Sequence, residues 1–247
     1  MDTESFATQD SNPVTAVTAD EMRDVDRVAV ETFGIDLLQM MENAGRSLST
    51  IVRETLARAA PDAAVTVVVG NGGNGGGGLC CARHLANRGV AVSVVLDRPA
   101  AELKGAAAQQ HRVVDEMGIP VSTGAAVLEE RDAEILVDAL VGYGLRGALR
   151  GAAAAMVEAI EEHPAPVVSL DVPSGLDATT GERPGVAVSP ERVVTLALPK
   201  TGLAALSCPV ALADISVPAG VYERLDITYE GPFDDAYLVE LQRVTER

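Results

Sequence analysis

Eight consecutive residues, Asn71 to Gly78, are all glycine or asparagine. An apolar run, Val65–Val69, precedes them. A helical pattern over Gly78–Arg88 and a second apolar run, Ala91–Leu96, follow. A stretch this bare cannot pack as core, so the order reads as strand, glycine loop, helix, strand. Seven glycines among the nine residues from Gly70 to Gly78 exceed what a tight turn needs. A glycine-rich turn at a helix start lets a ligand approach the backbone and aims N–H groups at phosphate. No GK[ST] follows, so this is not a P-loop. The spacing is also loose for a dinucleotide fingerprint, although Asp97 ends the second apolar run where a ribose-binding acid would stand. Asn74 is the best side-chain ligand in the loop, offering an amide oxygen to a cation or a hydroxyl.

The rest of the chain repeats the alternation. Helices are predicted over Ala101–Met117 and Gly151–Glu162, with a helical turn at Ala126–Arg131. Short continuous apolar strands are predicted near Pro120-Val121 and over Ile135–Leu140, Val167–Leu170, Arg192–Leu196 and Val210–Ile215. Apolar runs without alternation belong to strands covered on both faces, and alternating strands and helices define a doubly wound, parallel α/β sheet. Ahead of it lies a helical pair. The first helix opens with a capping box, Thr18 and Glu21. The second runs from about Asp36 to Ala60. Residues 1–13 are polar and aperiodic and read as a flexible tail. Nothing divides residues 14–247, which read as one domain.

Composition limits the partners. A net charge of −17 opposes binding to nucleic acid or an anionic membrane. No apolar run reaches the ~18 residues that span a bilayer, and no secretory signal is visible. The three cysteines, Cys80, Cys81 and Cys208, form no disulfide framework, and the first two read as small core residues. A cytoplasmic protein is expected. Many acids and only two lysines, Lys104 and Lys200, fit a salt-rich one.

In a doubly wound sheet the ligand lies beyond the carboxyl ends of the strands. Three unusual loops leave such ends: Gly70–Gly78, Asp138–Gly147 and Asp171–Asp177. Asp138 and Asp171 close apolar strands, so each carboxylate needs a cation, a hydrogen bond or a proton. The alternative is a turn-holding aspartate. Asp171-Val-Pro-Ser-Gly175 is a rigid turn able to present Asp171 and Ser174 together. No GxSxG elbow is present, and His84, His111 and His163 have no metal spacing and read as helix packing. Lys200, after Pro199 at a strand end, reads as a contact to a ligand phosphate or a partner for a carboxylate, and equally as a surface lysine. Glu42 and Asn43 on the second helix read as solvent-facing or as a side wall of the site.

Five segments, MRDVDRVAVETFGIDLLQMMENAGRSL, VVVGNGGNGGGGLCCARHLANRGVAVSVVL, VDALVGYGLRG, VVSLDVPSGLD and LALPKTGL, resemble in order the motifs of the NAD(P)H-hydrate epimerase family, the YjeF N-terminal domain. The resemblance covers about Thr18 to Val221. It implies a Rossmann-like α/β/α sandwich with a mostly parallel sheet, and in many members a homodimer. It implies interconversion of the R and S forms of NADH and NADPH hydrated at C6, and a bound potassium ion. By resemblance, Asn74, Asp138 and Ser174 are potassium ligands. Gly73, Asn74, Gly75, Gly76 and Gly77 form the substrate loop. Gly142, Tyr143, Gly144, Leu145, Arg146, Gly147 and Ala148 form the substrate-binding turn, and Asp171 binds substrate. Asp171 is the candidate acid and base, with Asp138 orienting it. The family's loop aspartate is Gly77 here and its first loop asparagine is Gly73. Two polar groups are therefore missing from the loop, which sets a non-catalytic nucleotide- or metabolite-binding module beside the epimerase as the second reading.

Overall fold

A computed structural model describes residues 6–57 and 63–244. Ten strands form one sheet: β1 (Phe6–Thr8), β2 (Pro13–Val14), β3 (Ala64–Val69), β4 (Ala91–Leu96), β5 (Val121–Thr123), β6 (Ile135–Ala139), β7 (Val167–Leu170), β8 (Arg192–Leu196), β9 (Val210–Ala213) and β10 (Leu238–Arg243). Their order is β2-β1-β10-β9-β8-β7-β6-β3-β4-β5. The seven strands from β9 to β5 pair in parallel, and β10, β1 and β2 add an antiparallel edge. Among the described residues seven α-helices surround the sheet: α1 (Ala19–Glu31), α2 (Leu37–Leu56), α3 (Gly73–Ala86), α4 (Gly105–Glu116), α5 (Ala125–Glu129), α6 (Gly151–Glu162) and α7 (Ala219–Glu223).

Four of the continuous apolar strands, β3, β6, β7 and β9, are buried on both faces almost throughout, as expected. Val67 and Val69 of β3 face a core shared with Leu48 and Ile51 of α2 and with Leu79 and Leu85 of α3. Val68, between them, faces Met156 and Ile160 of α6 and Leu128 of α5 on the other side. One residue of register therefore decides which helical layer each valine meets. The Thr18–Glu21 capping box is formed in both directions. α2 ends at Leu56, and the expected extension to Ala60 falls partly outside the described residues.

Two expectations fail. Residues 6–8, assigned to a flexible tail, form β1 on β10, and the Phe6 side chain is fully buried. The pairing partner lies more than two hundred residues away, so no local pattern could reveal it. The second failure concerns the glycines. The helix expected at Gly78 already starts at Gly73, leaving Gly70-Asn71-Gly72 as the loop.

The strand order places the crevice. From β3 the chain moves outward through β4 and β5, then returns to β6 on the other side of β3. Connections leaving β3 and β6 thus diverge, and a groove opens between their carboxyl ends, the usual ligand position of such sheets. No described helix is long and apolar enough to cross a membrane.

Candidate active site at the switch point

A cavity of about 710 Å³ fills that groove. Its floor is Leu140, Val141 and Gly142 after β6, with Leu170 and Asp171 at the end of β7. One wall is the start of α3, with Gly72, Gly73, Asn74 and Gly77, and the other combines Met40 and Met41 of α2 with Met22 and Asp26 of α1. Volume and mixed lining match a small-molecule site.

Most of the glycine run serves packing. A Cβ on Gly75 would lie 1.7 Å from the Gly70 carbonyl oxygen, and one on Gly78 2.5 Å from Ala139 Cβ. On Gly76 it would meet Met41 Sδ at 2.6 Å. Bare backbone lets α3 press onto the sheet and onto α2, where Gly45 faces Cys80. Gly75 and Gly76 therefore lie behind the cavity wall, whereas Gly73, Asn74 and Gly77 are on it. The first N–H groups of α3 lack intrahelical partners, and Gly73 and Asn74, which open the helix, line the cavity, so a helix N-terminus suited to an anion borders it.

Asp171 stands at the centre. Its φ is +67° and the next amide, Val172, donates to the Leu170 carbonyl at 2.9 Å. Ala197, at the end of the neighbouring β8, repeats this with φ +62° and a Leu198-to-Leu196 bond of 2.7 Å. Such left-handed γ-turns are rare and strained, and strain of this kind concentrates at functional sites. The two turns lift Asp171 and the segment leading to Lys200 out of the sheet. Lys200 is 1% exposed and donates to Asp171 Oδ1 at 2.5 Å and to the Leu196 carbonyl at 2.9 Å. Asp171 Oδ2 accepts the Tyr143 amide at 3.1 Å. A Cβ on Gly142 would come within 2.8 Å of Asp171 Oδ2 and 3.1 Å of Asn74 Oδ1. Only glycine lets those two side chains converge over the floor.

Asp138 is fully buried beneath the floor rather than on it. Its oxygens accept from Ser174 Oγ at 2.6 Å, the Ser174 amide at 2.9 Å, Ser169 Oγ at 2.8 Å and the Leu140 amide at 3.3 Å. Ser174 Oγ also accepts the Val141 amide at 3.0 Å, tying the β7 turn to the cavity floor. Burial pushes the Asp138 carboxyl above the ordinary carboxylate range, against the pull of these hydrogen bonds. Of the expected substrate-binding turn, Gly142, Tyr143 and Gly144 line the cavity, while Leu145, Arg146, Gly147 and Ala148 run on beyond it.

Sequence reasoning missed Asp26. Tyr143 Oη donates to its carboxylate, so α1 clamps the β6–α6 loop over the cavity. Burial raises the Asp26 pKa. A signal was present, since Asp26 falls on the helical stripe Met22, Asp26, Ala29, an acid on an otherwise apolar face. Lys200, left even between a phosphate or carboxylate contact and the surface, is buried at the site as the partner of the Asp171 carboxylate. Asp97 and Arg98 line the cavity rim as a bidentate pair, at 2.8 and 2.9 Å. Glu42 and Asn43 lie outside this cavity: Glu42 turns to α3, and Asn43 donates to Ser216 at 2.9 Å.

Fold and site together define a doubly wound α/β protein with a ligand cavity at its topological switch point. A profile of the family described as YjeF-related protein N-terminus matches residues 37–202. The NAD(P)H-hydrate epimerase of Dehalogenimonas lykanthroporepellens is 41% identical, over 96% of this chain and 96% of its own length. The NAD(P)H-hydrate epimerase of Rhodopirellula baltica is 33% identical, over 85% of this chain and 88% of its own length. The bifunctional NAD(P)H-hydrate repair enzyme Nnr of Moorella thermoacetica is 36% identical over 82% of this chain, which spans 40% of that longer protein. The crystal structure of yeast YNL200c superposes with a TM-score of 0.79 at 24% identity, covering 92% of this chain and all of that one, and supports the fold. The chain belongs to the YjeF N-terminal, NAD(P)H-hydrate epimerase family.

Proposed function

We propose that this chain is an isomerase that interconverts the R and S forms of hydrated NADH and NADPH. The observation that carries this reading is the end-to-end similarity to a stand-alone epimerase, 41% over 96% of both chains. The cavity supplies the means. C6 of the hydrate carries a hydroxyl beside the ring nitrogen. When an acid protonates that hydroxyl, the C6–O bond breaks, water leaves and the nitrogen lone pair forms an iminium bond. Water then adds to the other face and returns a proton to the base. Asp171 is our candidate for this exchange. Oδ1 is held by Lys200, and Oδ2 lies by Gly142 on the cavity floor. The α3 N-terminus and the guanidinium groups of Arg23 and Arg98 on the lining suit the negative pyrophosphate. Asp138, beneath the floor, acts as a positioning residue through Ser174.

The residues fit a potassium ion. Asn74 Oδ1, the Asp138 carboxylate and Ser174 Oγ are hard oxygen donors of the kind such an ion takes. The buried Asn74 amide nitrogen has no hydrogen-bond partner among the described residues. Asp138 is met by hydroxyl and amide donors alone. When bound, the cation would offset a buried negative charge and tie the α3, β6 and β7 ends together.

Gly77 bears on the second reading. Its position lines the cavity beside Leu170 and Ala44, so the missing loop aspartate removes a carboxylate from the wall and leaves the Asp171–Lys200 pair intact. The test is to supply one purified epimer of hydrated NADH and follow its conversion by chromatography, in potassium and in sodium. Conversion well above the spontaneous rate, faster in potassium, is expected. Binding of the epimer with no conversion would establish the non-catalytic module instead.

A further inference from the structure

A second cluster of reactive side chains lies where α2 crosses α3, away from the cavity. Cys80 and His84 stand one helical turn apart on α3 and so share a face. Glu42 of α2 approaches both. Its Oε1 is 2.8 Å from His84 Nε2 and its Oε2 is 3.4 Å from Cys80 Sγ. One sulfur, one ring nitrogen and one carboxylate oxygen all lie within 4.8 Å of one another. A tetrahedral zinc ion with bonds of about 2.0 to 2.3 Å sets its ligand atoms about 3.3 to 3.8 Å apart. The mixed sulfur, nitrogen and oxygen set suits zinc rather than magnesium or calcium.

We propose that Glu42, Cys80 and His84 form a zinc-binding site between α2 and α3, with the fourth position open to solvent. Two further features point the same way. The Arg83 guanidinium bridges Glu42 Oε2 and Cys80 Sγ, the latter at 3.2 Å, so two of the three groups already share a cationic partner, which a zinc ion would displace. A second cavity of about 650 Å³ is lined by Glu42, Arg83 and Gln110 beside the cluster. The Glu42 side chain is 46% exposed.

The protons balance simply. Burial holds the Cys80 thiol protonated, its pKa pushed up to about 12. Zinc takes the sulfur lone pair, and that proton leaves to water. His84 Nε2 gives its lone pair to the ion, and its hydrogen passes through solvent to Nδ1. Arg88, which now reaches Nδ1 at 3.4 Å, keeps its firmer bond to the His84 carbonyl at 3.0 Å. Arg83 swings into the second cavity. One proton is released per ion bound.

The experiment is titration of chelator-treated full-length protein with zinc by calorimetry, and with cobalt by absorption spectroscopy. One ion per chain and a thiolate-to-cobalt charge-transfer band are expected. Cys80→Ser should abolish the band and weaken zinc at least tenfold, and Arg83→Ala should tighten zinc by removing the competing cation. Cys208→Ser should change neither. Glu42→Gln, at a half-exposed side chain, should also weaken zinc at least tenfold and carries the affinity test if Cys80→Ser does not fold. Absence of binding, or binding and a band that survive both Cys80→Ser and Glu42→Gln, would overturn the proposal.

Discussion

At the residue scale the site depends on one buried ion pair. Lys200 and Asp171 are 1% and 5% exposed at their side chains, so neither charge has water to fall back on. Removing one partner strands the other, at a cost of about 3 to 5 kcal/mol. Lys200→Met should therefore lower unfolding stability by that order in urea titrations and abolish activity. Lys200→Met with Asp171→Asn should regain much of the stability and none of the activity. Equal stability of the single and double variants would mean that the pair does not couple. Asp26 offers a test by pH. Burial raises its folded pKa above the ordinary 3.8. Its contribution to stability is thus fully present below about pH 3.8 and is lost as pH rises through the raised folded value. The unfolding free energy of wild type should fall relative to that of Asp26→Asn from acid to neutral pH. A constant difference would contradict the burial of that carboxyl. Lys200 was half legible, because a scarce lysine at a strand end is conspicuous while its burial is not. Asp26 showed only as an acid on an apolar stripe.

At the scale of elements, the glycines divide into two kinds. Gly78 and its neighbours let α3 approach the sheet, and Gly73 starts the helix where the space is open. Gly78→Ala would place a Cβ 2.5 Å from Ala139 Cβ, a rigid clash expected to cost about 1 to 3 kcal/mol. Gly73→Ala has only Met41 Cε within reach, at 3.9 Å, and should be neutral or stabilise by up to about 1 kcal/mol through helix propensity. Chemical denaturation of the two variants separates these roles, and a similar response at both positions would contradict them. The run was legible as a strand-to-helix turn but not as a helical surface. Glycine has low helix propensity, and only tertiary packing overrides it here. α6, with ordinary apolar periodicity, falls at the limits read from the sequence, Gly151–Glu162.

Across the whole molecule, the parallel sheet and its ligand-bearing edge were readable because apolar strands and capped helices are local patterns. The antiparallel edge was not, since β1 and β10 meet only through folding. Phe6, fully buried where β1 joins β10, tests that edge. Phe6→Ala should cost about 3 kcal/mol in urea unfolding, whereas a tail residue would cost nothing. The sheet matters to function because it holds the β3, β6, β7 and β8 ends at one rim. There Asn74, Asp171 and Lys200 converge from segments distant in sequence. The most direct measurement is the rate of epimer exchange of hydrated NADH by Asp171→Asn against wild type, with substrate affinity measured alongside. A fall of at least a hundredfold in kcat with affinity changed only a few-fold is the expected result. An unchanged kcat would show that the proton transfer belongs to another group.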